Sequence, residues 1–600
     1  MCGIVGYIGD KEAAGILMSG LKRLEYRGYD SAGIAVISGN KIHIRKIPGK
    51  ISDLANLLDK KPTPRAFSGI AHTRWATHGA PNKVNAHPHS SCDKKITVVH
   101  NGIIENYLKL KNDLIKQGHR FFSQTDTEVM AHLIEKYYKG CLRTAVIEAL
   151  KKVEGSFALG VLCSDEPDII VCARQDSPLI VAEGKGGRFI ASDVPAILEH
   201  CSRVVYLKDR QAAVLTKNDI SIYDFKNRRM SIKFDKILMD VESAKKGGFP
   251  HFMLKEIFEQ PAVLKKLLSS GAKNVGNFDF HHRISNIVIV ACGTAYHAGL
   301  VGKYIIETLA RVPVWVDLSS EFRYRNPLIS KDTLVIAVSQ SGETADTLAA
   351  AREAKRKGAK IVSICNVVGS SLTRESDAVF YTLAGPEIGV ASTKAYTAQL
   401  AVFYMFGLAL AKSLGRISPV FYRDSLKALN CIPALQSEIL KSRGLIKKIA
   451  QKHHHFGSFL FLGRNVNFPS ALEGALKLKE ISYIPAEGYA AGEMKHGPIA
   501  LIDEYRAVVC IAVRSKIYDK MISNIQEIKA RSGKLIAIAT KGDATIKNHS
   551  REIIEIPECD EFFSPLLVAL PLQMLAYYIA VARGCNVDQP RNLAKSVTVE

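Results

Sequence analysis

Cys2 stands directly after Met1, in the run Cys2-Gly3-Ile4-Val5-Gly6. Removal of Met1 would place a thiol and a free α-amine on one residue. An α-amine titrates near pH ~8, far below a lysine, so it can act as a base close to neutrality. A thiol with a built-in base is a complete nucleophile unit. Position alone favours a plainer reading, a small residue ahead of a buried strand. Polar residues able to do chemistry gather in the same part of the chain. They are Arg27-Gly28-Tyr29-Asp30-Ser31, His72-Thr73-Arg74-Trp75-Ala76-Thr77-His78-Gly79 and His100-Asn101-Gly102, and all three read as loops.

A second group lies downstream. Leu334–Val338 reads as a buried strand running into Ser339-Gln340-Ser341-Gly342-Glu343-Thr344 and a helix over Ala345–Lys357. A strand, a small hydroxyl-rich loop and a helix N-terminus together hold an anion, through orphan N–H groups and the positive helix end. A simple cap needs only one hydroxyl. No Gly-Lys-Ser/Thr follows, so the loop predicts a monophosphate rather than ATP. In the predicted helix Ala471–Ile481, Lys477 and Glu480 are i, i+3 and share a face, a spacing most often used for surface ion pairs. The Gly-rich stretch Gly488–Pro498 carries Glu493, Lys495 and His496. The polar C-terminal run Asp588–Ser596, where disorder is the default, holds Lys595, a residue type able to form a Schiff base with a carbonyl.

Histidines 72, 78, 87, 89 and 100 with Cys92 suggest zinc, but no CxxC or HExxH accompanies them. No metal and no other cofactor is expected.

These residues need several domains to position them, and 600 residues at 47% hydrophobic and 23% charged supply them. The net charge is +23, yet the basic residues are dispersed in short clusters such as Lys355-Arg356-Lys357, Arg228-Arg229 and Lys447-Lys448. With no arginine-rich tail and no aromatic-basic motif, the charge reads as solvated surface attractive to small anions, and no nucleic-acid partner is expected. Twelve cysteines without a CxxC pair, several inside apolar runs (Cys163, Cys172, Cys365, Cys510), suit a reducing compartment. Met1–Asp10 does not read as a signal peptide. The apolar run Leu400–Ala411 is too short to span a bilayer, and Pro565–Ala582, with two prolines and Gln573, reads as a buried helical segment. A cytoplasmic location with no membrane partner is expected.

Residues 1–238 read as one α+β unit. Short strands (Ile4–Ile8, Ile34–Ile37, Thr97–His100, Phe157–Leu162, Ile169–Ala173, Val204–Leu207) alternate with turns, and helices are expected near Ile104–Gln117 and Thr127–Tyr138. Phe122–Glu128 reads as a polar cap on the second helix. Residues 239–250, including Asp240–Gly248, read as a linker. The remainder repeats itself. The strand-and-glycine landmark at Gly293 recurs at Gly463, and the one at Lys360 recurs at Lys534, offsets of 170 and 174 residues. Two α/β domains with parallel doubly wound sheets are expected, at 251–430 and 431–587, followed by a tail at 588–600. The strand of the second repeat, Ala507–Val513, ends in Arg514-Ser515-Lys516, so only the first repeat keeps the phosphate loop.

The chain resembles the glutamine–fructose-6-phosphate aminotransferases from end to end. The carriers are Cys2–Gly6, Tyr26–Ser31, His72–Gly79, His100–Gly102, Thr125–Thr127, Ala291–Thr294, Ser339–Thr344, Gly385–Lys394, Glu473–Glu480, Gly488–Pro498 and Asp588–Glu600. The resemblance implies a class II glutamine amidotransferase domain of N-terminal-nucleophile fold, followed by two sugar-isomerase (SIS) domains. It implies glutamine and fructose 6-phosphate as substrates, glucosamine 6-phosphate as product, the first step of hexosamine synthesis, and a homodimer. By resemblance Cys2 attacks the glutamine amide and its own amine moves the proton. Asn101 and Gly102 form the oxyanion hole. Arg74 and Asp126 hold the α-carboxylate and α-amine, Thr77, His78 and Gly79 line the site, and Trp75 gates an ammonia channel. Thr294, Ser339, Gln340, Ser341, Thr344 and Ser392 bind sugar phosphate. Glu480 is the C1–C2 proton-transfer base with Lys477 beside it, His496 opens the sugar ring from the other subunit, and Lys595 forms the Schiff base. Two other readings, an N-terminal-Cys amidotransferase acting on a pyrophosphate or adenylated substrate and a sugar-phosphate-sensing regulator, predict a nucleotide loop or a helix-turn-helix, and neither is evident.

Overall fold

The computed structural model describes residues 2–25, 28–237, 245–276, 278 and 284–598. The start of the Tyr26–Ser31 motif, residues 239–244 of the expected linker, Met1 and the last two residues lie outside that set. The chain divides into two compact units, Met1–Ala244 with Ala594–Glu600, and Lys245–Leu593.

The first unit is built on two antiparallel sheets. One has eight strands, with Gly3–Gly9 at its centre between Gly187–Ala191 and Ser68–Arg74. The other has seven, including Ile96–Ile104 paired with Gly155–Cys163. The period-2 rule assigns each strand's faces. Ile4 and Ile8 join a core that also holds Val99, Ala158 and Leu162 of the other sheet. Val5 and Tyr7, on the opposite face, pack with Leu17 and Leu21 of helix Ala13–Leu24 and Leu54 of helix Ile51–Lys60. The outer face of the second sheet, with Val98 and Phe157, is covered by helices Glu128–Tyr137 and Leu142–Leu150. The result is a helix–sheet–sheet–helix stack, so both faces of each central strand are dry.

Three expectations need correction. Asn101 and Gly102 lie inside strand Ile96–Ile104, not in a loop, and His72, Thr73 and Arg74 end strand Ser68–Arg74. The helix expected from Ile104 begins at Tyr107, because the strand runs on through Ile104. Thr127 does not cap the next helix through its side chain; Glu128 instead accepts from the N–H groups of Phe122 and Ser123, at 2.9 and 2.6 Å.

The second unit carries two parallel five-stranded sheets of identical topology. In the first, the spatial order is Val314–Leu318, Asn286–Ala291, Thr333–Ser339, Lys360–Cys365, Ala378–Tyr381. In the second it is Ala486–Ala490, Phe459–Gly463, Ala507–Ala512, Lys534–Thr540, Glu552–Ile556. Both follow the order 2-1-3-4-5, whose direction reverses between the first and third strands. That switch point is where such sheets bind ligands. Gly488–Pro498, read as a loop, begins on the edge strand Ala486–Ala490 and continues as the 3-10 turn Ala491–His496. One hydrophobic core joins the two halves, through helices Gly293–Ala310, Lys394–Ser413, Phe468–Ser482 and Pro565–Ala582. The last is long and apolar enough to cross a membrane, but 89% of it is buried inside the protein.

Asp588 closes this unit. Its carboxylate accepts from the N–H groups of Phe252 and Met253, both at 2.9 Å, at the start of helix Phe252–Gly276. Arg591 lies 4.2 Å over the ring of Tyr483 and donates its N–H to the Tyr483 hydroxyl at 2.8 Å. The first part of the C-terminal run is therefore ordered, contrary to the default for a terminus.

Candidate active sites

In the first unit Cys2 sits at the head of strand Gly3–Gly9. Its Sγ accepts from the Trp75 N–H at 3.4 Å and lies 3.6 Å from the Trp75 carbonyl. Burial pushes the thiol up, while the Trp75 N–H and the Arg74 guanidinium pull it back. Asn101 donates from Nδ2 to the Cys2 carbonyl at 3.1 Å. Its Oδ1 lies 3.1 Å from His72 Nε2, which is also 2.9 Å from the His100 carbonyl. Two acceptors on one nitrogen assign the proton to Nε2 and so fix which end of the Asn101 amide faces Cys2. Burial lowers His72 to about 3, so this ring is neutral. His87 stacks on it with centroids 4.0 Å apart, and burial holds His87 and His89 well below the ordinary histidine value. His72, His87 and His89 are thus neutral buried rings, and His72 holds the Asn101 amide that faces Cys2.

Gly102 has φ +132°, and a Cβ there would meet the Ser156 carbonyl oxygen at 2.0 Å, so only glycine fits. Arg74 donates to the carbonyls of His78 and Gly79, which folds the segment after the strand back on itself. Its Nη1 is buried with no hydrogen-bond partner among the described residues, which leaves donors for an incoming carboxylate. Asp30 accepts from the Ala76 N–H at 2.8 Å and Asp126 from the Ile104 N–H at 2.9 Å. Trp75 and His78 are half-buried and Thr77 exposed. Gly79 has φ +76° with Asn85 Nδ2 2.7 Å from a would-be Cβ. The structure therefore brings Trp75 and Asn101 into direct contact with Cys2, with Arg74 next in the chain to Trp75 and its charge acting on the thiol.

In the second unit the loop after strand Thr333–Ser339 closes on itself. Ser339 Oγ accepts from the Gly342 N–H at 3.0 Å and lies 3.1 Å from Thr344 Oγ1, and Ser341 Oγ accepts from the Glu343 N–H at 3.2 Å. Gly342 has φ +66°, and a Cβ would strike Ser370 Oγ at 2.0 Å. The side chains of Gln340, Ser341 and Thr344 are half-buried beside the N-terminus of helix Ala345–Arg356. Thr294 starts the helix after the neighbouring strand Asn286–Ala291, so the two loops flank the switch point.

Thr294 also joins the halves of this unit. Lys477 Nζ donates to Thr294 Oγ1 at 2.9 Å, pairs with Glu480 at 2.6 Å and lies 3.5 Å from Glu473. Thr294 donates to Glu473 at 3.1 Å, and His297 Nδ1 lies 2.8 Å from the other Glu473 oxygen. Lys477 is 0% and Glu473 2% exposed, so this is no surface pair. Burial alone would lower the Lys477 pKa, but Glu473 and Glu480 outweigh it and the ammonium is held above its ordinary value. Ser392 Oγ donates to Glu387 at 3.0 Å, and Glu387 also accepts from the N–H groups of Thr393 and Ala395.

Sequence reasoning missed Glu473, Glu387 and His297. Glu473 was reachable, because it lies i−4 from Lys477 on the predicted helix. His496 is exposed on its 3-10 turn. Lys595 counts with the first unit and Lys477 with the second, so its place in sugar chemistry rests on resemblance alone.

Comparison with known proteins extends this picture. A SIS domain matches residues 282–409 and again 454–583, and a glutamine amidotransferase domain matches residues 72–199. The glutamine–fructose-6-phosphate aminotransferase [isomerizing] of Clostridium tetani is 50% identical, with 100% of both chains covered. That of Thermus thermophilus is 51% identical, again over 100% of both. The C-terminal domain of the Francisella tularensis glucosamine–fructose-6-phosphate aminotransferase superposes with a TM-score of 0.55 and 41% identity, covering 58% of this chain and 100% of that one.

Proposed function

This chain belongs to the glutamine–fructose-6-phosphate aminotransferase family, and on that premise we propose how its residues divide the work. The enzyme hydrolyses glutamine, aminates fructose 6-phosphate and isomerises the product to glucosamine 6-phosphate. Once Met1 is removed, Cys2 attacks the glutamine side-chain amide, with its own α-amine as the base. Asn101 Nδ2 and the Gly102 N–H receive the charge that develops on the amide oxygen. The spare Arg74 donors take the substrate carboxylate, and Asp126 takes its ammonium, with Thr77, His78 and Gly79 as walls. Trp75, bonded to the sulfur through its backbone, gates the released ammonia. Internal transfer matters because ammonia in neutral water is mostly protonated.

At the second site Ser339, Gln340, Ser341, Thr344 and Ser392 hold the sugar phosphate against a helix N-terminus. Glu480 moves the proton between C1 and C2, with its carboxylate held by the buried Lys477 ammonium at 2.6 Å. Lys595 supplies the Schiff-base amine. His496, exposed on its 3-10 turn, serves ring opening in a homodimer. A cytoplasmic location and the domain limits 1–238, 251–430 and 431–587 complete the proposal.

The observation that carries this reading is one chain holding both a thiol cage around Cys2 and a phosphate loop at a sheet switch point. Glucosamine 6-phosphate formation from glutamine and fructose 6-phosphate tests it. The Cys2→Ala variant should form none, and normal activity in that variant overturns the assignment.

A further inference from the structure

Outside both sites, Cys92, His119, His132 and Glu135 converge, with one potential ligand atom from each and all four atoms within 4.8 Å of one another. They come from three separate segments. Cys92 lies in the turn after the short strand His89–Ser90, and His119 follows helix Tyr107–Lys116. His132 and Glu135 share one face of helix Glu128–Tyr137.

Four of the six ligand–ligand distances are close to the edges of a tetrahedral cage. Cys92 Sγ is 3.4 Å from His132 Nδ1 and 3.8 Å from His119 Nδ1. The Glu135 carboxylate is 3.0 Å from His119 Nδ1 and 3.5 Å from His132 Nδ1. A zinc ion with bonds of about 2.3 Å to sulfur and about 2.0 Å to nitrogen and oxygen has ligand–ligand edges of roughly 3.3–3.6 Å. The observed edges straddle that range.

The surroundings orient each donor. His132 is buried, and its other nitrogen, Nε2, faces Glu128 at 3.7 Å. A carboxylate behind the ring favours the proton on Nε2 and leaves the Nδ1 lone pair for a metal, as outer-shell carboxylates do in zinc proteins. The Arg120 N–H points at Cys92 Sγ at 3.3 Å and holds the sulfur in place. Glu135 is fixed by the N–H groups of Cys92 and Asp93, at 3.3 and 3.0 Å. One thiolate, two imidazoles and one carboxylate suit zinc and are too soft for calcium or magnesium. Four protein ligands make a closed, structural site with no position left for catalysis.

We propose that this chain binds one structural zinc ion through Cys92, His119, His132 and Glu135. The ion pins the Cys92 turn and the His119 segment to the helix that begins two residues after Asp126. Binding replaces the Cys92 thiol proton, which passes to solvent. This site departs from the expectation that the chain uses no metal. It draws in Cys92 from the group noted in the sequence, while the other members of that group, histidines 72, 78, 87, 89 and 100, take no part. The inference does not depend on the assignment of the reaction.

The test uses the full-length chain, stripped with chelator and then titrated with zinc or cobalt(II). Elemental analysis should find about one zinc per chain after desalting. Cobalt(II) should give the visible bands of a tetrahedral site, together with a thiolate-to-metal charge-transfer band in the near ultraviolet. Zinc should raise the thermal midpoint of the wild-type chain. Cys92→Ser should lose the charge-transfer band and the thermal response, and His119→Ala should lose stoichiometric binding while the run His453-His454-His455 stays intact. Failure of the wild-type chain to retain zinc overturns the proposal. So does equal zinc retention and equal stabilisation in both variants.

Discussion

Replacing Lys477 by Met removes one ammonium from a site with two carboxylates on it. Met matches the aliphatic stem, so the change is chiefly one of charge. In the native chain Nζ serves Glu480 at 2.6 Å, Thr294 at 2.9 Å and Glu473 at 3.5 Å, with Lys477 fully buried and Glu473 nearly so. Deleting one partner of a buried pair costs about 3–5 kcal/mol, because the remaining charge loses its compensation. Unfolding entropy of about 2.1 cal/mol/K per residue, over a unit of roughly 350 residues, converts that loss to a thermal shift of about 4–7 °C. Glu480 also loses the cation that holds and orients its carboxylate. Conversion of fructose 6-phosphate to glucose 6-phosphate, which tests proton transfer without glutamine, should then fall about 10²–10⁴-fold. Glutamine hydrolysis should stay within a few-fold, since Cys2 lies in the other unit. The double variant Lys477→Met/Glu473→Gln should regain much of the stability, because the amide that replaces the Glu473 carboxylate keeps an acceptor for Thr294 without the charge. It should regain none of the isomerisation. A single variant that melts with the wild type and still isomerises would refute the buried-charge argument.

Two further outcomes concern the first unit. Gly102→Ala places a Cβ 2.0 Å from the Ser156 oxygen at φ +132°, so it should cost about 1–3 kcal/mol of strain and sharply lower glutamine hydrolysis while isomerisation persists; equal hydrolysis by the variant would remove Gly102 from the site. Stability of the same unit should fall as pH drops below about 6.5, the ordinary histidine value. The folded His72 resists protonation down to about 3, and His87 and His89 behave alike, so across that window the unfolded chain binds more protons. Denaturant midpoints that stay flat between pH 6.5 and 4.5, above the range in which Glu128 titrates, would contradict this.

The second unit was more legible in the sequence than the first, for a physical reason. Parallel strands buried on both faces give short apolar runs that end in glycine turns, and these runs repeat, so the two α/β domains emerged from Gly293, Gly463, Lys360 and Lys534. In the first unit the central strands are also covered on both faces, by the other sheet and by helices. Alternation is lost there, and the helices Ala13–Leu24, Ile51–Lys60 and Leu142–Leu150 went unnoticed. Asn101 and Gly102 looked like a loop because polar and glycine residues punctuate most sequences at turns, whereas here they lie inside a strand, with Asn101 bonded to Cys2. Glu473 escaped because burial, which turns a routine helical i, i+4 pair into a site, is invisible in one dimension. The Cys92 cluster escaped because its members come from three segments. Only the His132–Glu135 pair on one helix face left a local signal.

The most direct measurement is the fate of the amide nitrogen. With glutamine labelled with nitrogen-15 at the amide, fructose 6-phosphate and an excess of unlabelled ammonium in the buffer, mass spectrometry of the glucosamine 6-phosphate reads the nitrogen's route. The account predicts product carrying the label undiluted, and no product from Cys2→Ala. Product diluted by buffer ammonium, or labelled product from the Cys2→Ala chain, would contradict it.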